Sequence, residues 1–231
     1  MSSPVEAITK GGDDTKSQLK AAAQALFAKS GVDAVTVQQI VSAAGQRNNA
    51  ALHYHFGTKD ELIRQLLVEG AQDVDVRRRG MLSEMERRGG PDSVREVMEA
   101  LVLPVIALGE DPRRRGYIRL VANVQMTNRE LLRSALADRW NEGYVRCLAH
   151  LRRMITSVPP MLLEQRLSFL GIYSNAALSA RDAALEQQSN EPHRLWGRSY
   201  TVDNMIDTLV AMLAGDPSTE SLRQANGSTN T

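Results

Sequence analysis

Gln46, Arg47, Asn48 and Asn49 stand side by side at the start of a short segment whose apolar positions recur at helical spacing. These side-chain types can read base edges in a DNA groove. An arginine forks onto guanine, and an asparagine or glutamine makes the same two-point contact with adenine. Arg47 and Asn49 are the candidate base readers. Gln46 and Asn48 are alternates, because Asn48 also suits the N-cap of the segment. Thr36, Gln38, His53, Tyr54 and Lys59 carry groups able to meet the phosphate backbone. His55 suits either group, while Leu52 and Phe56 read as core.

Other chemistries find less support. Cys147 and His150 lie three apart, on one face of an expected helix, but no third ligand or orienting group accompanies them. With four histidines scattered along the chain, and no nucleotide loop or nucleophile–base motif, no catalytic residue, metal site or cofactor is expected.

The elements that must position the polar cluster are two short helices. Thr36 is a good N-cap, and Val37, Ile40, Val41 and Ala44 then form one apolar face. Gly45 ends that helix and turns the chain. A second helix is expected from Asn48, closing near Gly57. Two short helices across a glycine-containing turn make a helix-turn-helix, whose second helix enters the major groove. A preceding helix, Thr15 to Ser30, carries Leu19, Ala22, Ala23, Leu26 and Phe27 as a stripe that would close a three-helix core.

The motifs LFAKSGVDAVTVQQIVSAAG and ALHYHFGTKDEL, covering about residues 15 to 66, resemble the DNA-binding region of the tetracycline-repressor (TetR) family of transcriptional regulators. Thr36, Ile40, Ala44-Gly45, Leu52, the aromatic-rich HYHF and Lys59 carry the likeness. His53 stands where family members often have tyrosine, and the turn with its recognition helix is one residue longer than the commonest pattern. The resemblance implies a dimer formed through the last two helices, and a double-stranded DNA operator as partner.

Composition agrees with an all-α protein: 42% of the 231 residues are hydrophobic and only 4% aromatic. The net charge of +1 does not by itself suggest nucleic acid, but its distribution does. Residues 15–60 hold Lys16, Lys20, Lys29, Arg47 and Lys59 against Asp33 and Asp60, so the positive excess sits in the candidate DNA-binding unit. A single cysteine and the lack of an apolar N-terminal leader lead to a cytoplasmic expectation. No membrane span is expected, because the longest apolar run, near Ala100 to Leu108, is too short and contains Pro104.

About nine helices are expected, with residues 1–14 and 215–231 as disordered tails, 15–60 as the DNA-binding domain and 61–214 as a ligand-binding and dimerisation domain. Thr58 caps a long helix running from Lys59 to about Arg88, with Arg77-Arg78-Arg79 as a solvated or ion-paired basic face. Asp111-Pro112 is expected to start a helix, and one helix should run from about Leu132 to Ser157. Met161 to Gln187 and Thr201 to Ala214 complete the set.

Residues 91 to 158 are the expected surround of an effector pocket. There Leu101, Val105, Leu108, Leu120, Val124 and Trp140 either line a cavity or fill a core. Asn123, Gln125 and His150 are the polar candidates for orienting a ligand. The resulting expectation is a dimeric regulator, most simply a repressor released from a pseudo-palindromic operator by a small, mostly apolar effector. The alternatives are a regulator controlled without a small molecule and, with no supporting motif, an enzyme.

Overall fold

The Thr36 side chain starts the helix expected of it. Its Oγ1 accepts from the Gln39 N–H at 3.3 Å, and Gln39 Oε1 accepts from the Thr36 N–H at 2.8 Å, so two donors without helical partners are satisfied reciprocally. The computed structural model describes residues 4–137, 140–187 and 191–227, and among them the structure is entirely helical. The helices are α1 (Pro4–Ser30), α2 (Val37–Ala43), α3 (Ala50–Phe56), α4 (Lys59–Arg87), α5 (Val94–Gly109), α6 (Tyr117–Thr127), α7 (Arg129–Leu136), α8 (Glu142–Met154), α9 (Pro160–Glu186), α10 (Thr201–Ala214) and α11 (Thr219–Gly227).

Several boundaries differ from expectation. Eleven helices replace about nine among the described residues. Residues 4–14, expected as tail, extend α1, with Pro4 at its first position, where a missing N–H costs nothing. Part of the second expected tail is α11, which Ser218 starts by accepting from the Ser221 N–H at 3.2 Å. Residues 1–3 and 228–231 of those tails lie outside the described residues. The helix expected from Asp111-Pro112 begins only at Tyr117, because Asp111 Oδ1 instead accepts from the Arg113 N–H, 3.0 Å, and closes a local turn. The single helix expected over 132–157 is two: Asn128 caps α7, and Trp140 adopts φ 59° ahead of α8.

Chain contacts divide the protein into two units, and the division falls inside α4 and inside α5. The first unit gathers α1–α3, the first half of α4, and α6 and α7. It is therefore larger than residues 15–60, because Leu120 and Val124 of α6 and Leu131 of α7 join Phe27, Ile40 and Leu52 in one core. Polar ties reinforce it. Lys20 of α1 pairs with Glu69 of α4, and Arg114 reaches Glu69 at 3.1 Å and Asp73 at 2.8 Å.

Burial alone would raise the Glu69 carboxyl, but hydrogen bonds from Lys20 and Arg114, and their charges, outweigh it and hold the group below its ordinary value of 4.5. A carboxylate depressed in the folded state contributes stability above its unfolded value and loses it as pH falls through the folded one. The thermal midpoint of Glu69→Gln should therefore lie below that of the native chain near neutrality, with the gap closing below about pH 4.5. A gap that stays constant through the acid range, measured by circular dichroism, would remove Glu69 from the account.

The second unit holds the rest of α4, most of α5, and α8–α11. Pro104 lies inside α5 and has no N–H, so the carbonyl of Ala100, four residues earlier, loses its helical donor. Arg78 of α4 supplies the replacement: Nε donates to the Ala100 carbonyl at 3.1 Å and Nη2 to that of Leu101 at 3.0 Å. The expected solvated or ion-paired Arg77-Arg78-Arg79 face is thus corrected in its middle member. Arg77 is exposed, but Arg78 is buried, because α5 needs its donors.

One turn earlier, the buried Asp75 carboxylate accepts from the Gly143 N–H at 2.8 Å, meeting a free donor at the start of α8. Helices α9 and α10 pack together, and Arg166 Nη1 donates to the Leu213 carbonyl at 2.8 Å. Each buries leucines, yet Met161, Phe169, Ile172 and Tyr173 of α9 remain exposed.

Candidate nucleic-acid interface

Helix α3 is held from beneath. Leu52 is fully buried and Phe56 nearly so, and both belong to the core that α1 and α2 share. Every large apolar side chain of α3 except Tyr54 therefore faces inward. The polar residues before it are left outside, with Arg47, Asn48 and Asn49 all exposed.

The start of α3 lies later than the sequence suggests. Ala50 is its first residue, and the cap position falls to Asn49, whose side chain makes no cap bond. Asn48 Oδ1 accepts from the Ala50 N–H at 2.9 Å, so part of that side chain is spent on the turn. Gly45, at φ 70°, supplies the left-handed residue that ends α2. At the far end of α3, the His53 Nδ1–H donates to the Gly57 carbonyl, 2.8 Å away. That ring nitrogen is used within the unit itself.

Gln38 of α2 joins Gln46, Arg47, Asn48 and Asn49 around one open surface depression. These five were singled out from the sequence and lie together. Ser42, on the same rim, was missed, although its position four residues after Gln38 puts it on the same face of α2. Gln46 Nε2 also donates to Gln18 of α1 at 3.2 Å, which ties the turn to the first helix.

The remaining candidates lie elsewhere. Tyr54 is 86% exposed, and its ring meets His55 edge-on with centroids 5.0 Å apart. Thr36 is occupied by its cap. Lys59, expected at phosphate, points its ammonium at the protein: Nζ donates to the carbonyls of Val32 at 2.9 Å and Val35 at 3.0 Å. The connection between α1 and α2 has backbone acceptors that no ladder satisfies, and they draw the lysine in.

The candidate ligand residues divide between the units. Leu108, Leu120, Asn123 and Val124 belong to the first, and Leu101, Val105, Trp140 and His150 to the second. Leu120 and Val124 are fully buried in the core shared with Phe27, Ile40 and Leu52, so they fill core and line no cavity. Asn123 Oδ1 accepts from the Val32 N–H at 2.8 Å. His150 is buried between Glu86, 2.9 Å from Nε2, and Arg153, which donates to Nδ1 at 2.6 Å. Burial pushes the neighbouring Cys147 thiol up to about 11, far from a nucleophilic thiolate at neutral pH. Leu101, Val105 and Trp140 remain half-buried in the second unit. Among the described residues, no group of three or more His, Cys, Asp or Glu side chains is placed to hold a metal ion, and no helix is long and apolar enough to cross a membrane.

Residues 19–66 match the family model of the bacterial regulatory proteins of the tetR family. The N-terminal domain is of the TetR family. The match covers α2 and α3 whole, with most of α1 and the first turns of α4, so the TetR-type helix-turn-helix is the one built above.

Solved structures extend the likeness in fold to most of the chain. A chain assigned to the tetR family of transcription regulators, from Shewanella sp. PV-4, is 15% identical, with a TM-score of 0.57, over 85% of this chain and 96% of its own. The transcriptional regulatory protein RHA5900 is 22% identical, with a TM-score of 0.52, over 88% and 99%. The superantigen PfiT is 19% identical, with a TM-score of 0.50, over 86% and 95%. At such identities the likeness is one of fold, and the third relative shows that one fold carries more than one role. No curated protein matches the sequence.

Proposed function

We propose that this chain is a homodimeric, sequence-specific DNA-binding regulator of transcription, acting in the cytoplasm as a repressor and not as an enzyme. One observation carries the reading. Arg47, Asn49 and Gln38 stand exposed on one rim, while Leu52 and Phe56 fix the helix beneath them in the core. In this reading Arg47 and Asn49 read bases, Gln38, Gln46 and Ser42 line the approach, and Tyr54 and His55 meet the backbone.

Dimerisation follows from the size of the reading head. One helix of seven residues contacts too few base pairs for selectivity, whereas a two-fold pair reads two half-sites of a pseudo-palindrome. The exposed Met161, Phe169, Ile172 and Tyr173 of α9 offer the apolar face that a second copy would cover.

Release by a small, mostly apolar effector completes the reading, with Leu101, Val105 and Trp140 as its remaining candidate contacts. Such a ligand shifts operator binding only by its difference in affinity between the two states. A second reading, in which a protein partner or abundance provides control, is favoured by the complete burial of Leu120 and Val124 and by the commitment of Asn123 and His150 to the protein's own groups.

The test is fluorescence-anisotropy titration of the DNA flanking the protein's own gene and of a random-sequence pool, at two salt concentrations. Native protein should select a site at two chains per duplex. Arg47→Ala should weaken that site by about 1–3 kcal/mol and relax its sequence preference. Absence of binding to either DNA at low salt would sink the proposal. Equal loss on every sequence would move Arg47 from base reading to phosphate contact.

A further inference from the structure

The connection between α1 and α2, residues 31–35, is short and irregular, and it buries Val32 and Val35, each 3% exposed, while Asp33 and Ala34 between them face outward. Backbone polar groups in such a place need partners, and here side chains supply them from two other helices. Asn123 of α6 accepts the Val32 N–H at 2.8 Å, while Lys59 of α4 donates to the Val32 carbonyl at 2.9 Å and the Val35 carbonyl at 3.0 Å. Both polar groups of Val32 are therefore held by side chains distant in sequence. Gly31 beside it sits at φ 79°, and a Cβ there would come within 3.0 Å of Asn123 Nδ2, so the carboxamide lies directly against the loop. Thr36 follows at once and caps α2, which makes this connection the root of the helix-turn-helix.

We infer that Asn123 is a positioning residue for DNA reading: its carboxamide oxygen, by holding the Val32 N–H, sets the angle at which α2 and the turn to α3 leave the core. The inference rests on the DNA-binding reading above. It gives Asn123 a role other than orienting a ligand, since Oδ1 is already committed. It also separates the residue from general packing. Leucine has a similar volume and no acceptor, glutamine has the same amide one methylene further out, and aspartate keeps an acceptor where it is needed.

The experiment compares the native chain with Asn123→Leu, Asn123→Gln and Asn123→Asp. Amide hydrogen exchange is followed at Val32, and affinity is measured for the duplex that the native chain selects from a random pool. Asn123→Leu and Asn123→Gln should speed Val32 exchange and weaken DNA binding by about 10-fold, the size set by one buried donor left unpaired. Asn123→Asp should keep both within about twofold of native. Circular dichroism establishes that each variant is folded, and the glutamine variant carries the test if the leucine variant is not.

Fast Val32 exchange with unchanged affinity in the leucine or glutamine variant would overturn the positioning role. Equal losses in all three variants would show packing instead, and would overturn it too. If the native chain selects no DNA, the regulator reading fails. The exchange arm then stands alone, and unchanged Val32 protection in the leucine variant would overturn the clamp itself.

Discussion

Replacing Arg78 by methionine should destabilise the protein by about 2–4 kcal/mol, because a buried carbonyl and a part-buried one lose the guanidinium together. The guanidinium spans consecutive acceptors on α5, those of Ala100 and Leu101, and is itself only 8% exposed. Its carbon also lies 5.9 Å from the centroid of the Tyr144 ring, a contact methionine would not replace.

The physical cause lies in Pro104, so the cost should depend on it. In a Pro104→Ala background the N–H at position 104 returns to the Ala100 carbonyl, and Arg78→Met should then cost about 1 kcal/mol less. Arg78→Lys should recover only part of the loss, since one ammonium cannot reproduce the two-pronged geometry. Urea denaturation of the four proteins of the cycle measures this directly. Equal cost in both backgrounds would mean that Arg78 answers something other than the missing proline donor.

Gly70→Ala should also be strongly destabilising, by about 2–3 kcal/mol, although the same change at an ordinary helical position helps. A Cβ at Gly70 would overlap the Tyr117 ring at Cε2, Cδ2 and Cζ. The ring has nowhere to retreat, since Tyr117 is 6% exposed and its hydroxyl donates to the Leu67 carbonyl at 3.0 Å. Gly80, ten residues along the same helix, has open space where its Cβ would stand. Gly80→Ala should therefore gain about 0.5–1 kcal/mol, the intrinsic helical preference alone. The two thermal midpoints should move in opposite directions. A midpoint for Gly70→Ala at or above the native one would refute the overlap argument.

The head was legible because its signals are local. Thr36 and Thr58 both cap the helices expected of them, and Ile40, Leu52 and Phe56 are core as their spacing indicates. The long α4 and α10 also follow from pattern, being unbroken apolar stripes between clear stops. The separation of α7 from α8 was not legible in the same way, because Trp140 takes a positive φ that no tryptophan advertises. Asn128, which accepts from the Leu131 N–H at 3.0 Å, was the available signal for a new helix.

Contacts distant in sequence were the hardest to foresee. Leu120 and Val124 announce a buried face by their spacing, yet spacing does not say that the face belongs to the core of the head. Lys59 was plausible at DNA phosphate, and Asn123 against a ligand, because a sequence shows donors and acceptors. It does not show which backbone atoms will be left needing them. Of the residues around the depression beside Arg47, Gln38, Gln46, Asn48 and Asn49 were singled out with it, but Ser42 was not, and neither was the place where α3 begins.

The inward turn of Lys59 bears on how a regulator of this kind would search a genome. Of the five cations between residues 15 and 60, Lys20 is answered by Glu69, and Lys59 is spent on two carbonyls. Lys16, Lys29 and Arg47 are left in each chain, so less of the association is driven by release of the ions condensed along a duplex than the sequence count suggests. Such a head gains less grip on arbitrary sequence and dwells on it more briefly while scanning. More of the work of staying bound falls on matched base edges at two half-sites, and the salt slope of the operator titration should be shallower than five cations per chain would give.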